Sequence, residues 1–212
     1  MNMSLTLEQL LDTFEKYNLA IWPMQVLAYV LGVVALFFAI KRREYSSRII
    51  TGILSFLWLW TAIGFFLLYF GPVYSPAYGF GGLFIIQGVV FLASVLKPRV
   101  SFGFKGDVYS IVGILFIAYA MVGYPVLGYF LGHRYPQSPP FGLTPCPVTV
   151  FTFGLLLLAD KKVPKLFLAI PLLWAVGGFM PVSVGILEDI GLIIAGMLGT
   201  AMILYRDRKM QA

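Results

Sequence analysis

The sequence contains very few of the residues that bind metals or carry charge. It has one cysteine, Cys146, and one histidine, His133, among 212 residues. A single cysteine excludes an internal disulfide and a multi-cysteine metal cluster, and a single histidine removes most histidine-based metal and catalytic sites. Charged residues make up only 11% of the chain, whereas soluble domains carry about 25%. We therefore expect neither a soluble globular domain nor a metal or other cofactor.

Long apolar runs dominate the chain instead. Hydrophobic residues make up 60% of it, and a helix that crosses roughly 30 Å of hydrocarbon needs about 20 such residues in a row. The sequence predicts an all-α polytopic membrane protein with seven transmembrane helices, of which the third and fifth are short. Their predicted positions are about 20–40, 49–70, 80–96, 108–132, 147–160, 166–185 and 187–205.

Basic residues lie in alternate loops between these predicted helices. Segments 41–48, 97–107, 161–165 and the tail 206–212 contain 13 of the 15 lysines and arginines. Because cytoplasmic loops carry an excess of these residues, we predict an N-terminus outside and a C-terminus inside the cell inner membrane. Topology and contact with membrane lipids then explain the net charge of +6, so we expect no nucleic-acid partner.

The first 18 residues have neither a basic start nor a long apolar core, so we expect no cleavable signal peptide there. They predict an amphipathic helix that Thr6 caps and that lies at the membrane interface. Its apolar positions recur at helical spacing: Leu7, Leu10, Leu11, Phe14 and Tyr17.

An internal repeat is the second long-range pattern. Three segments of the first half, 17–29, 59–65 and 82–86, are echoed in the same order by 141–153, 173–179 and 191–194. We predict a 3+1+3 plan of two parallel three-helix units joined by the fourth span, an arrangement known among transporters. The predicted parts are an interfacial helix 1–18, unit 1 at 19–96, a linker at 97–140, unit 2 at 141–205 and a basic tail 206–212.

The stretch 142–154, GLTPCPVTVFTFG, places Cys146 between two prolines at the start of the fifth span. Counting from Asp160 at about 1.5 Å per residue, Pro147 lies roughly 20 Å away, so this span starts below the outer surface. The non-helical residues before it must then pack in protein or line a wet cavity. Cys146 is either a reactive or metal-binding thiol at a cavity mouth or a small packing residue. The repeat favours packing, because Trp22 takes its place in unit 1.

Polar and aromatic residues recur at matching places of the two units. Gln25 and Thr149 each follow a helix-opening proline by two positions. A central cavity between the units would be lined by Gln25, Trp60, Cys146, Thr149 and Trp174, although helix packing is the alternative explanation for these residues. Glu188 and Asp189, at the start of the seventh span, are candidate coupling acids. Acids favoured at a helix N-terminus are the alternative.

Segments 17–32, YNLAIWPMQVLAYVLG, and 142–165, GLTPCPVTVFTFGLLLLADKKVPK, resemble an uncharacterised family of small bacterial multi-span membrane proteins. Its members carry Y-N-x-x-I-W-P and G-L-T-P-C-P motifs. The resemblance implies a bacterial-type inner membrane protein that contains a domain of unknown function, and it implies no activity.

Three functions are compatible with these patterns. The leading hypothesis is a transporter or channel for a small solute, and the alternative is a membrane sensor or assembly partner without a transport path. A thiol redox or metal-handling protein is the third. We expect no enzymatic activity, because the sequence contains no nucleophile–base pair, P-loop, zinc spacing or dinucleotide fingerprint. Homo-oligomerisation and the identity of the solute stay open.

Overall fold

The structure is a computed structural model that describes residues 5–210. These residues form eight helices. An isolated antiparallel β-bridge joins Phe102 to Ala159. The predicted all-α class is confirmed. The helices are α1 (Leu7–Ala20), α2 (Met24–Ile40), α3 (Ser46–Phe70), α4 (Ala77–Leu96), α5 (Val108–Phe130), α6 (Pro145–Leu157), α7 (Leu166–Ser183) and α8 (Leu187–Lys209).

Five helices, α3, α4, α5, α7 and α8, are long and apolar enough to cross a membrane. The pair of α1 and α2 passes the same test as one unit, although the two helices bend by 87° at the break between them. By helix length and hydropathy, the chain is therefore a multi-pass membrane protein with five to six candidate spans. Two of the seven predicted spans correspond to shorter helices, because α2 has 17 residues and α6 has 13. The seven-span topology stays a prediction.

Contacts between helix ends and loops define two ends of the helix bundle. At one end, which we call the α1 end, the Asn18 amide donates to the carbonyls of Pro136 and Ser138, at 2.6 and 2.7 Å. At the other, the basic end, Arg206 Nη1 donates to the carbonyls of Leu157 and Ala159, at 3.0 and 2.9 Å. The α1 end contains α1 and the loops 71–76, 131–144 and 184–186. The basic end contains the loops 41–45, 97–107 and 158–165 and the end of α8.

The short helix α6 lies at the centre of the bundle. All 13 of its residues are buried, and α3, α5, α7 and α8 pack around it. The approach to α5 is close: a Cβ added at Gly154 would lie 2.8 Å from the Gly113 carbonyl oxygen. The preceding residues 141–144 are buried as well. Backbone that enters α6 without helical hydrogen bonds is thus enclosed by protein, as a non-helical stretch inside a membrane requires.

The predicted N-terminal helix is present as α1, and the predicted cap is correct. The Thr6 hydroxyl accepts from the Gln9 backbone N–H, and the Gln9 side chain accepts from the Thr6 N–H, which closes a capping box. Its apolar stripe faces the bundle. Tyr17 is fully buried, and its hydroxyl donates to the Leu143 carbonyl at 2.8 Å while accepting from Trp60 Nε1 at 3.0 Å.

Two helices contain π-helical segments, Thr61–Phe70 in α3 and Tyr119–Gly123 in α5. The second ends just before Pro125, whose nitrogen carries no hydrogen for a helical bond. The carbonyl of Met121, four residues before this proline, instead accepts from the Tyr29 hydroxyl at 2.9 Å. Wider π turns often occur at functional sites, and the segment in α3 contributes part of a cavity wall.

Candidate functional site

A cavity of about 530 Å³ lies towards the α1 end of the bundle. Helix α1 and all of the helices from α3 to α8 contribute side chains to it. Its wall is almost entirely apolar and includes Phe14 from α1, Phe65 and Phe66 from α3, Phe84 from α4 and Ile170 from α7. Small-molecule sites typically have volumes of about 300–1,000 Å³ and mainly apolar walls with a few convergent polar groups. The cavity matches that description in both respects.

Three polar side chains meet at one place on this wall. The carboxyl of Asp189, at the start of α8, accepts from the Tyr124 hydroxyl at 2.5 Å through Oδ1. Its other oxygen, Oδ2, accepts from Cys146 Sγ at 3.2 Å. All three residues are buried and line the cavity. The cavity therefore has a hydrogen-bonded polar patch, in which α5, α6 and α8 each place one side chain.

A second acid lies directly beside this patch. Glu188 is fully buried, and its Oε1 is 2.8 Å from His133 Nδ1. Its backbone carbonyl accepts from the Tyr119 hydroxyl at 2.6 Å. The remaining oxygen, Oε2, is buried without a hydrogen-bond partner among residues 5–210. A buried acceptor of this kind costs free energy unless a donor reaches it.

Trp174 brings an unused donor to the cavity wall. Its ring contacts Phe66, Phe80 and Phe84 edge to face, with centroids 5.3 to 5.4 Å apart. Its indole Nε1 is buried and makes no hydrogen bond of good geometry in the described part of the chain, although the Cys146 thiol lies near it. Because an indole N–H is only a donor, an acceptor on a bound molecule would complete its hydrogen bonding.

The structure brings together three of the predicted site residues and keeps three others apart. Cys146, Trp174 and Asp189 line one cavity, and Glu188 is the neighbour of Asp189 along the chain. The remaining three have partners elsewhere. Gln25 Nε2 donates to the Asn18 carbonyl at 2.8 Å, Thr149 Oγ1 donates to the Pro145 carbonyl at 2.7 Å, and Trp60 donates to Tyr17.

Sequence reasoning missed several parts of the site. It did not foresee that Phe14 of α1 is buried and lines the cavity, while the place of α1 at the membrane interface stays a prediction. It also missed the pairing of His133 with Glu188, which lie 55 residues apart. The regular spacing of Leu10, Phe14 and Tyr17 was the available signal for a packed helix. No local pattern indicated the histidine pair.

The residues that the structure describes contain no group of three or more histidine, cysteine or acidic side chains that could hold a metal ion. Five to six apolar helices long enough to cross a membrane define a polytopic helical membrane protein. The chain belongs to DUF6064, a family of unknown function whose model matches residues 7–212. The expected membership of an uncharacterised family is thus confirmed. No curated protein and no solved structure matches the chain.

Proposed function

We propose that this protein binds a small, mostly apolar molecule in the cavity at the α1 end and moves it across the cell inner membrane. The observation that carries the proposal is a cavity of about 530 Å³ with an apolar wall and convergent polar groups at one place. Apolar walls supply affinity through burial, and a few polar groups set the orientation of the ligand.

The polar groups indicate the chemistry of the ligand. Trp174 Nε1 is a donor with no acceptor among residues 5–210, so the ligand carries a hydrogen-bond acceptor near one end of an apolar body. The oxygens of Asp189 already accept from Tyr124 and Cys146. A charged amine is therefore not needed to satisfy them, and a neutral or amphiphilic molecule is the better fit.

The position of the cavity favours transport. Its wall combines α3 and α4, from the first proposed three-helix unit, with α6, α7 and α8, from the second. In the seven-span plan, α2 and α6 both count as spans, and protein rather than lipid surrounds α6. Parallel units of this kind can rock about a site at their interface and expose it to each side in turn. Glu188 and Asp189 are the candidate coupling acids, since buried acids within a membrane are functional candidates.

Ligand-dependent thermal stabilisation of the purified full-length protein tests the binding step, because a molecule that binds only the folded state raises its stability. The panel consists of apolar and amphiphilic compounds small enough for the cavity. Trp174→Phe keeps an aromatic side chain but removes the indole N–H together with part of the ring, so we expect affinity for a compound that binds to fall at least three- to tenfold. Trp60→Phe removes an indole N–H outside the cavity and serves as the matched control.

Proteoliposomes separate transport from binding alone. A hit that accumulates in vesicles containing the parent protein, and not in empty vesicles, supports transport. Binding without flux would leave the alternative, a sensor or assembly partner. If Ile170→Trp, which fills the cavity, leaves binding of a hit unchanged, the cavity is not the site. The third function, thiol redox or metal chemistry, has less support, because Cys146 is only 9% exposed and its thiol is hydrogen-bonded to Asp189.

A further inference from the structure

A second cavity, of about 470 Å³, lies between α7 and α8 at the basic end of the bundle. We call it the basic groove. Three cationic side chains, Lys162, Lys165 and Arg208, lie along its wall. Farther from the basic end the wall becomes apolar, with Leu168 and Leu172 from α7 and Leu204 from α8. The groove therefore combines a cationic mouth with an apolar floor.

The cations of the groove are available for an external anion. Within residues 5–210, none of Lys162, Lys165 and Arg208 has an acidic partner within salt-bridge distance. Asp207 also lies on the wall, but its carboxylate is already engaged. Its Oδ1 accepts from Arg206 Nε and Nη2, both at 3.1 Å, and its Oδ2 accepts from the Val163 N–H at 2.8 Å.

Two further features of the groove suit an anionic ligand with acceptor oxygens. Thr200 is only 8% exposed, it lines the groove, and its Oγ1 has no hydrogen-bond partner in the described chain. Helix α7 begins at Leu166, just after Lys165, and has no side-chain cap. The N–H groups of Phe167 and Leu168 already donate to the carbonyls of Pro164 and Lys165, so this end attracts a phosphate through the helix dipole.

We propose that the basic groove binds one anionic phospholipid, independently of the ligand in the other cavity. The phosphodiester lies against Lys162, Lys165 and Arg208, in the manner of basic pockets between transmembrane helices. One acyl chain lies over Leu168, Leu172 and Leu204. The Thr200 hydroxyl, two helical turns deeper than Arg208, donates to an ester carbonyl on the acyl-chain side of the headgroup. The apolar floor favours a lipid over free phosphate, which would leave this surface uncovered.

Native mass spectrometry of the full-length protein in detergent tests the proposal with three probes: dioleoylphosphatidylglycerol, dioleoylphosphatidylcholine and inorganic phosphate. We expect one phosphatidylglycerol to stay bound, phosphatidylcholine to bind far more weakly, and phosphate neither to bind nor to compete. The groove variant carries Lys162→Gln, Lys165→Gln and Arg208→Gln. Because each cation near an anionic headgroup contributes roughly fivefold, its affinity for phosphatidylglycerol should fall about a hundredfold.

A matched variant separates the groove from general surface charge. Lys97→Gln, Arg99→Gln and Lys105→Gln remove three exposed cations of the same end that do not line the groove, and affinity should stay within about threefold. Thr200→Val keeps the side-chain shape and provides a second groove variant if the triple variant fails to fold. This substitution should weaken the binding of phosphatidylglycerol about threefold or more.

Three outcomes would overturn the proposal. Equal losses in the two triple variants would assign binding to surface charge in general. Competition by inorganic phosphate at similar concentration would make the groove an anion site rather than a lipid site. Equal retention of phosphatidylcholine and phosphatidylglycerol would remove the role of the cations.

Discussion

Cys146 Sγ donates a hydrogen bond to Asp189 Oδ2 at 3.2 Å, across 43 residues of sequence. This contact joins the first turn of α6 to the start of α8. The only thiol of the chain is thus a buried donor that helps to satisfy a buried carboxyl. Its chemistry is determined by that neighbour more than by the two prolines that flank it.

The burial of Cys146 predicts slow labelling. A membrane-impermeant maleimide should modify the folded protein slowly and the denatured protein fully, because the thiol is 9% exposed and hydrogen-bonded to Asp189. Intact-mass measurement gives the labelled fraction without background, since the chain has no other cysteine. An exposed control is Cys146→Ala with Ser183→Cys, which should label quickly. Equal rates for the two proteins would make Cys146 an accessible thiol.

The contact between His133 and Glu188 predicts that substitutions of the two residues have coupled effects on the free energy of unfolding. His133→Ala should destabilise the protein by about 3 kcal/mol, because it leaves a buried carboxyl without its partner. The double variant His133→Ala with Glu188→Ala should lose clearly less than the sum of the two single changes. Denaturant unfolding in mild detergent gives the three free energies. Additive losses would show that the two side chains do not interact.

Replacement of Arg206, at the opposite end of the bundle, should also destabilise the protein. The Arg206 guanidinium donates to the Leu157 and Ala159 carbonyls and to Asp207, so Arg206→Leu leaves a buried carboxylate without a cation. We expect a loss of roughly 3–5 kcal/mol. The control is Arg99→Leu, an exposed arginine of the same end, which should change stability by about 0.5 kcal/mol or less. Equal losses would contradict the burial of Arg206.

The close approach of α5 and α6 predicts opposite effects of one substitution at two glycines. Gly154→Ala should destabilise by about 1–3 kcal/mol, because the new Cβ would lie 2.6 Å from Ile117 Cγ1. Gly82→Ala in α4 meets nothing within 4 Å, so it should be neutral or stabilise by up to about 1 kcal/mol. Thermal unfolding of the two variants side by side is the measurement. A tolerated Gly154→Ala would mean looser packing around α6.

Hydropathy and charge predicted the parts of the fold that depend on local composition. Five predicted spans match helices of sufficient length, and the loops that carry the basic residues do meet at one end of the bundle, as Arg206 and the Arg42–Asp160 pair illustrate. Pro23 marks the break at 21–23, but the local sequence does not encode the 87° bend there. Leu19 to Val26 is apolar on both sides of it, and the direction of α1 depends on where Tyr17 finds its partners.

The candidate site was harder to predict, because burial of a polar side chain does not reveal what satisfies it. Thr149 was singled out for its place after a proline, yet it bonds within its own helix turn. Gln25 bonds across the bend to Asn18. Trp174 was chosen for its place in the repeat and Asp189 as an acid at the start of a span, and both do line the cavity. The difference lies in the packing of distant helices, which spacing along one helix cannot encode.

Helix α6 also has a consequence for biosynthesis. With 13 residues it spans about 20 Å, so lipid alone cannot hold it across the membrane during synthesis. The helices that enclose it include α7 and α8, which leave the ribosome after it. The centre of this protein is therefore completed late, when the last two helices insert and close around a segment that was made before them.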